Sequence, residues 1–342
     1  MMAAVLYGKE HLQVEPVAVP RIDSGDILVR VKVALTCGTD VKVFRRGYHA
    51  RMIVPPAVFG HELAGDVVAV GDGVRNFSVG QRVVASNSAP CDVCFFCRRG
   101  LQNLCEDLLF NNGAYAEYIR IPARIVAGNT YVIPDHVGYY DAALVEPLAC
   151  VVRGFEETAP LPGDTIAIIG LGPIGLMFVK LAKLHGCRVV AVGRRKTQLD
   201  RAAMLGADEL IVADHDADPV KATRAMTHGR GVDAAIEAVG KPKTWEWAAN
   251  MVRRGGTVNF FGGCPNDSTV NLDTALLHYS EITCKASFHH TPAYIRKALD
   301  LISAGHITAS FFVNGEEPLA NLLEVMRHLM SHNGHLKTAI VP

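Results

Sequence analysis

The sequence has no uninterrupted run of about 18 apolar residues, so it predicts no helix that spans a membrane. Its first residues, Met-Met-Ala-Ala-Val, lack the positively charged segment that precedes the apolar core of a secretion signal. Neither charge is in excess, since 34 lysines and arginines balance 34 aspartates and glutamates. These absences predict a soluble cytoplasmic protein that binds neither nucleic acid nor a membrane.

The chain is 342 residues long, which is long for one hydrophobic core, so two domains are expected. Its 31 glycines follow no period and therefore indicate many turns and short strands rather than low complexity. Nine cysteines in an intracellular protein of this size are expected to be thiols or metal ligands rather than disulfides.

The stretch Asp164–Gly175 is the motif around which the second half is organised. A short apolar run, mostly β-branched, ends in GxGxxG, and a helical pattern with Phe178 and Leu181 on one face follows at once. This order of strand, tight turn and helix is the context in which GxGxxG binds the diphosphate of a dinucleotide. The predicted contacts are Gly170, Gly172, Pro173, Ile174 and Gly175.

Further apolar strands alternate with amphipathic helices after this motif. Strands are predicted at 188–192, 209–213, 232–239 and 256–261, and helices at 199–205, at 220–227 and around Trp245 and Trp247. Near-continuous apolar strands between helices predict a parallel sheet covered on both faces. The second half is therefore predicted to be a Rossmann dinucleotide-binding domain in an α/β protein.

The end of the second predicted strand indicates which dinucleotide binds. NAD-binding chains usually carry an acidic residue there for the ribose 2′-hydroxyl, but this strand ends in Gly193-Arg194-Arg195. A guanidinium can bind a 2′-phosphate with two parallel hydrogen bonds. The sequence therefore favours NADP(H) over NAD(H).

The first half is rich in short strands. Every second residue from Ile27 to Leu35 is apolar and falls on one face, with Arg30 and Lys32 on the other face, which predicts a half-buried antiparallel strand. Further β-rich stretches separated by glycines predict an irregular barrel or sandwich. The tail contains a predicted strand at 282–288, helices at 292–303 and 318–329, and a last strand at 337–341, whose domain the sequence leaves open.

Four cysteines in CxxCxxC…C spacing, Cys91, Cys94, Cys97 and Cys105, predict a structural zinc site, because four thiolates close a tetrahedron around one zinc. A thioredoxin-like redox pair would stand in a βαβ context, and iron–sulfur ligands would have another spacing. A nucleic-acid zinc ribbon would have more basic surroundings than Arg98 and Arg99 provide.

Cys37, His61 and Glu62 form a second candidate group. A thiolate, an imidazole and a carboxylate, with water as the remaining ligand, match a catalytic zinc site. Adjacent residues of a regular strand point to opposite faces, so His61 and Glu62 need the kink that Gly60 permits, or only one of them ligates. Glu146 lies in an apolar stretch where an unpaired charge is costly, and metal ligation or support of a ligand explains its place there.

Taken together, these motifs resemble those of the zinc-dependent medium-chain alcohol dehydrogenases, above all the polyol (sorbitol-type) and threonine dehydrogenase branch. The resemblance rests on Cys37-Gly38-Thr39-Asp40, Gly60-His61-Glu62, the four-cysteine segment, Glu146-Pro147 and the GxGxxG, and it spans nearly the whole chain. It implies a GroES-like catalytic domain at 1–150, completed by 287–342, a Rossmann domain at 151–286, and an active site in the cleft.

The resemblance also implies one catalytic zinc surrounded by Cys37, His61 and either Glu62 or Glu146, one structural zinc, and a homodimer or homotetramer. Hydride would pass between NADP(H) and a secondary alcohol, polyol or sugar and its ketone. Thr39 would accept the alcohol proton and pass it through the cofactor ribose towards Lys42, which stands where many relatives have a histidine. Further cofactor contacts are expected at Phe261, Gly262, Phe288 and His289, where polyol enzymes often have Phe-Arg in place of Phe288-His289.

Three other functions compete with this prediction. An NAD-dependent threonine or polyol dehydrogenase would share the motifs. A zinc-free quinone or enoyl reductase would have no need of the Cys37, His61 and Glu62 group. A non-catalytic NADP-binding protein on the same scaffold would lack the catalytic ligands, which are present in this chain.

Overall fold

The computed structural model describes residues 1–49, 52–214, 218–331 and 336–342. The chain divides into a first unit, residues 1–149 and 290–342, and a second unit, residues 150–289. Among the described residues, no helix is both long enough and apolar enough to cross a membrane.

The N-terminal part of the first unit contains ten strands and three helices. In chain order they are β1 Met2–Gly8, β2 His11–Pro16, β3 Ile27–Leu35, α1 Gly38–Arg46, β4 Ala57–Val58, β5 Glu62–Val70, β6 Arg82–Ala85, β7 Ser88–Ala89, β8 Leu109–Phe110, β9 Tyr118–Ile121, α2 Ala123–Gly128, β10 Thr130–Val132 and α3 Tyr139–Ala142. The alternation predicted for residues 27–35 is confirmed, because every second side chain of β3 from Ile27 is buried while Arg30 is exposed.

The next elements are the helix that contains the division between the units and the alternating strands and helices of the second unit. They are α4 Val145–Thr158, β11 Thr165–Ile169, α5 Pro173–Leu184, β12 Arg188–Gly193, α6 Lys196–Met204, β13 Glu209–Val212, α7 Pro219–Ala225, β14 Val232–Glu237, α8 Pro242–Met251, β15 Val252–Phe260, α9 Thr274–Tyr279 and β16 Thr283–Ala286. The predicted alternation of strands and helices is confirmed, and the strand boundaries shift by one to four residues.

The C-terminal segment returns to the first unit. It contains α10 Pro292–Ser303, α11 Ala309–Phe312, β17 Val313–Pro318, α12 Leu322–Met330 and β18 Lys337–Val341. The helix predicted at 318–329 is a 3₁₀ turn at Leu319–Asn321 followed by α12.

The first unit holds sheets of three, seven and two strands, and the largest has the order β10-β6-β5-β3-β18-β17, with β9 also paired to β3. Its register positions the candidate site. Leu35 at the end of β3 pairs with Glu62 at the start of β5, and with Ala339 near the start of β18. Antiparallel pairing thus brings the end of one strand beside the beginnings of two others.

The second unit is a six-stranded sheet of order β13-β12-β11-β14-β15-β16, in which every pairing is parallel. Buried Ile169, Val190, Ala235 and Val258 belong to its core cluster, which contains residues from five of the six strands. The strand order reverses between β11 and β14, and ligands bind at such switch points in open α/β sheets.

Candidate metal centres and dinucleotide cavity

The first candidate site begins where β3 gives way to α1. Cys37 is the N-cap of α1, and its sulfur accepts a hydrogen bond from Thr39 N at 3.4 Å. Asp40, three residues on, accepts one from Cys37 N at 3.1 Å and so completes a capping box. The cap therefore fixes the Cys37 sulfur and the Asp40 carboxylate at the same end of the helix.

Gly60 precedes His61 and Glu62, the other two candidate residues of this site. Its φ of +93° is the left-handed backbone that allows the chain to turn into β5, and a Cβ here would lie 2.6 Å from the Tyr115 ring. The turn brings one donor atom each from Cys37, His61 and Glu62 within 4.8 Å of one another. The kink expected from the sequence is therefore present, and both adjacent residues reach the group.

His61 is held by Asp40. Its Nδ1 lies 3.0 Å from Asp40 Oδ1, and neither buried atom has another hydrogen-bond partner among the described residues. Tyr115 donates a hydrogen bond of 2.6 Å to the other oxygen of Asp40. Burial alone would lower the pKa of His61, but Asp40 and Cys37 raise it well above its usual value. A carboxylate behind one ring nitrogen leaves Nε2 for a metal, which is the usual support of a histidine ligand.

Glu62 is completely buried and paired with Lys337, the first residue of β18. The lysine Nζ lies 2.7 Å from both carboxylate oxygens and donates a third hydrogen bond to Thr36 O at 3.1 Å. Burial alone would lower the pKa of Lys337, but the Glu62 carboxylate raises it. The carboxylate next to His61 is thus already neutralised by a buried cation.

Glu146 lies in the first turn of α4 and outside the group formed by Cys37, His61 and Glu62. Burial raises its pKa to about 7. Among the described residues, no lysine or arginine forms a salt bridge with it, and His290 Nε2 lies 3.7 Å away. His290 is itself buried, with Ser86 Oγ at 3.1 Å and Asn87 Oδ1 at 3.0 Å from the same nitrogen.

The two residues predicted to move the proton both lie on α1. Thr39 is half-buried in the first turn, and Lys42 is exposed one turn later. Residues three apart on a helix share a face. Along α1, Thr39 therefore lies nearer the buried end of the site and Lys42 lies nearer solvent.

The four cysteines of the second candidate site come together around one point. Their sulfur atoms all lie within 4.8 Å of one another, with Cys91–Cys97 at 4.0 Å and Cys94–Cys105 at 3.9 Å. Zinc–sulfur bonds of about 2.3 Å in a tetrahedron would separate the sulfurs by about 3.8 Å. All four are free thiols, so the donor set and its spacing fit a zinc ion.

A cavity of about 380 Å³ lies at the switch point of the second unit's sheet. Gly170 and Gly172 line it after β11, Gly193 to Arg195 at the end of β12, and residues 238, 239 and 241 after β14. Gly170 has φ +95°, and a Cβ on Gly175 would lie 1.7 Å from Gly170 O. A Cβ on Gly172 would meet no atom within 4 Å, which leaves open space against the backbone for a diphosphate.

The charge of this cavity is of one sign. Among the described residues, its lining contains the four cations Arg194, Arg195, Lys241 and Lys243 and no acidic side chain. None of the described residues forms a salt bridge with the exposed Arg194, which follows β12 directly. The lining thus fits an anionic ligand with a phosphate near Arg194.

Glu237 at the end of β14 organises the turn that follows. Its buried carboxylate accepts hydrogen bonds from Val239 N at 2.8 Å, Gly240 N at 2.9 Å and Thr244 Oγ1 at 2.7 Å. Its main-chain oxygen accepts from Phe261 N and Gly262 N. Burial raises its pKa, and the donors partly oppose this. One side chain therefore fixes a cavity-lining turn, and its backbone holds the segment after β15.

The other predicted cofactor contacts lie outside the cavity lining. Pro173, Ile174 and Gly175 begin α5, and Phe261 packs edge-on against Phe178 at a centroid distance of 5.0 Å. Phe288 is 54% exposed, and His289 has φ +67°. Buried Arg153 donates to the carbonyl oxygens of both residues and pairs with Glu157 at 2.8 Å, so this strained turn is held from α4.

Sequence reasoning missed Lys337, Tyr115, His290 and Glu237 and gave Asp40 no role. The sequence did contain a signal for two of them, because Lys337 starts an apolar strand and Glu237 ends a buried strand, and a buried charge requires a partner. Nothing in the sequence indicates which partner either would find.

Comparisons with known proteins agree with this geometry. A family model described as "Alcohol dehydrogenase GroES-like domain" matches residues 23–134, and one described as "Zinc-binding dehydrogenase" matches residues 173–304. The chain is 31% identical to the sorbitol dehydrogenase of Bacillus subtilis, with 100% of this chain and 97% of the relative covered. It is 34% identical to the L-threonine 3-dehydrogenase of Bacillus licheniformis over 74% of this chain and 73% of the relative.

A solved structure from Sinorhizobium meliloti, described as a zinc-binding dehydrogenase bound to NADP, superposes with a TM-score of 0.91. It is 29% identical in sequence and covers 100% of this chain and 99% of its own.

Proposed function

Because the chain belongs to the zinc-dependent medium-chain dehydrogenases, in the polyol and threonine dehydrogenase branch, we propose that it transfers hydride between NADP(H) and a secondary alcohol, polyol or sugar and its ketone. The observation that carries this proposal is the proximity of Cys37 to His61, whose ring is backed by Asp40, in one chain with a glycine-lined, cationic cavity. Relatives named as sorbitol and D-arabinitol dehydrogenases support the substrate class.

We assign the catalytic zinc to Cys37, His61 and Glu146. Lys337 already neutralises both oxygens of Glu62, whereas no lysine or arginine among the described residues pairs with Glu146. Glu62, which follows His61 and begins β5, then supports the site from behind. Zinc content tests this assignment, because E146Q should weaken zinc retention more than E62Q does.

A zinc ion bound there would act as a Lewis acid on the alcohol oxygen and lower its pKa. Asp40 fixes the orientation of the His61 ring, and the α1 cap fixes the Cys37 sulfur. Thr39 accepts the alcohol proton at its hydroxyl, and Lys42, on the same helix face, passes it to solvent. NADP⁺ would supply the nicotinamide ring that accepts the hydride.

The preference for NADP(H) rests on the cavity lining, which has four cations and no acid, and on Arg194 directly after β12. The neighbour solved with NADP supports it. We assign the first unit to the alcohol and the second unit, residues 150–289, to the dinucleotide.

We also propose that the protein is a homo-oligomer that pairs through β16. All four residues of this edge strand are exposed, and α9 beside it in sequence has no buried residue, with Tyr279 78% exposed. An uncovered edge strand is a ready template for pairing with a second copy. Analytical ultracentrifugation tests this, and a monomer would contradict it.

The decisive experiment compares wild-type protein with C37S, using C284S as the control for loss of an exposed thiol. Wild type and C284S should contain two zinc ions per chain and oxidise polyols faster with NADP⁺ than with NAD⁺. C37S should contain one zinc ion per chain and should show no activity, while it still binds NADP⁺. One zinc in wild-type protein, or full activity in C37S, would contradict the catalytic assignment, and a preference for NAD⁺ would contradict the cofactor assignment.

A further inference from the structure

Two cavities in the second unit share one wall. The cavity of about 380 Å³ at the switch point adjoins another of about 910 Å³, and four of the described residues line both: Arg194, Ala213, Lys243 and Trp247. These residues come from the turn after β12, the loop after β13 and helix α8. We call this shared wall the junction.

The two tryptophans of the chain, both on α8, have different surroundings. Trp245 stacks on Phe260 with centroids 4.1 Å apart and donates a hydrogen bond to Gly262 O at 2.9 Å. Trp247 is half-buried, lines both cavities, and forms neither a ring contact nor a hydrogen bond with the described residues. Part of its indole packs against the core cluster of the second unit, and the part that lines both cavities can contact a planar ligand at the junction.

The two cations of the junction are also available. Arg194 has no salt bridge with the described residues, and Lys243 has only a loose contact with Glu246 at 3.7 Å while it remains 71% exposed. Asp214 and Asp218 also line the larger cavity. The Asp218 side chain is the N-cap of α7 and accepts a hydrogen bond from Lys221 N. The junction thus combines an aromatic face with two cations from different elements.

We propose that the junction binds the 2′-phosphoadenosine end of the dinucleotide, with Trp247 stacked on the adenine and Lys243 joining Arg194 on the 2′-phosphate. This inference rests on the proposed use of NADP(H) and names residues that set the preference. A base stacks on an aromatic side chain whatever its hydrogen-bonding edge, so Trp247 serves both dinucleotides. The phosphate dianion, in contrast, requires the cations, so Lys243 discriminates between them.

Trp fluorescence tests the stacking. Adenosine 2′,5′-bisphosphate and 5′-AMP are titrated into the full-length protein, and the quenching of tryptophan emission is recorded. W245F should keep the quenching, whereas W247F should lose most of it and bind both ligands more weakly. Quenching that persists in W247F and disappears in W245F would overturn the inference.

Calorimetry of the same two ligands tests the charge, with K221A as the matched control because Lys221 is exposed on α7 and is not among the residues that line either cavity. K243A should bind adenosine 2′,5′-bisphosphate about tenfold more weakly and 5′-AMP within about twofold of wild type, as expected for one lost ionic hydrogen bond. K221A should not change the ratio of the two affinities. Equal effects of K243A on both ligands, or no effect, would overturn the role of Lys243.

Turnover separates this inference from the function on which it rests. Wild-type protein that prefers NAD⁺ would contradict the proposed cofactor. If wild-type protein prefers NADP⁺ and K243A keeps the same preference, only the role proposed for the junction would be contradicted.

Discussion

Replacing Lys337 with methionine removes the cation that forms the buried salt bridge with Glu62. Methionine keeps much of the length and apolar volume of the lysine stem, so the change is one of charge and hydrogen bonding. Glu62 is 0% exposed and Lys337 3% exposed, which means that water cannot replace the lost partner without rearrangement. The variant therefore leaves a buried carboxylate whose two oxygens have no other hydrogen-bond partner among the described residues.

The expected cost is large. Removing one partner of a buried ion pair destabilises proteins by about 3–5 kcal/mol, because the remaining charge is buried without compensation. Thr36 O loses a 3.1 Å hydrogen bond as well. With a urea dependence of about 2 kcal/mol per molar, the unfolding midpoint of the first unit should fall by about 2 M.

Hydrogen exchange measured by mass spectrometry across a urea series is the appropriate assay. Both tryptophans lie in the second unit, so their fluorescence does not report on the first. Peptides from β3, β5 and β18 should lose protection at lower urea in K337M. Peptides from β11 and β14 provide the internal comparison.

The double variant K337M/E62Q is the control that isolates the charge. A neutral amide in place of the carboxylate removes the uncompensated ion, so the double variant should recover at least half of the lost stability. If K337M unfolds at the same urea concentration as wild type, or if the double variant is no more stable than K337M, the ion-pair argument is wrong.

Three further changes have defined outcomes. G175A should abolish NADP⁺ binding in calorimetry, since its Cβ would lie 1.7 Å from Gly170 O, and wild-type affinity would contradict the packing role of this glycine. C97S should lower the zinc content from two ions per chain to one and lower the melting temperature, and an unchanged zinc count would place the metal elsewhere. Hydrogen bonds from Thr165 N and Arg253 hold the pKa of Asp233 below its usual value despite partial burial. This stabilisation is complete above the unfolded pKa of about 4 and is lost as the pH falls through the lower native pKa. The difference in free energy of unfolding between wild type and D233N should therefore shrink on acidification. A difference that stays constant with pH would refute the assignment.

Much of the fold followed from periodicity and from glycine positions. The Rossmann strands and helices were predicted because buried parallel strands are continuously apolar and their helices amphipathic, which are properties of local sequence. Strand ends were less well predicted: the strand expected at 282–288 is β16 at Thr283–Ala286, and all four of its residues are exposed. These residues are exposed because β16 lies at the edge of the sheet, and no local sequence pattern specifies that position.

The metal ligands of each site could be proposed from spacing, but their supporting contacts could not. Asp40 reaches His61 across 21 positions of sequence, and Lys337 reaches Glu62 across 275. These contacts follow from the antiparallel register of β3 with β5 and β18, which also brings Leu35 beside Glu62. Register depends on the packing of the whole sheet, so no local pattern specifies it.

The sequence by itself determined which donor atoms and turns are available: four thiols with zinc spacing, a thiol, an imidazole and two carboxylates for a second site, a GxGxxG turn, and arginines where an acid would select NAD. Those properties are local, because residue type and spacing are enough to define them. The tertiary structure alone decided which carboxylate a buried lysine neutralises and which tryptophan lines the dinucleotide cavity. Burial and pairing depend on residues far apart in the chain, and only the folded sheet brings those residues into contact.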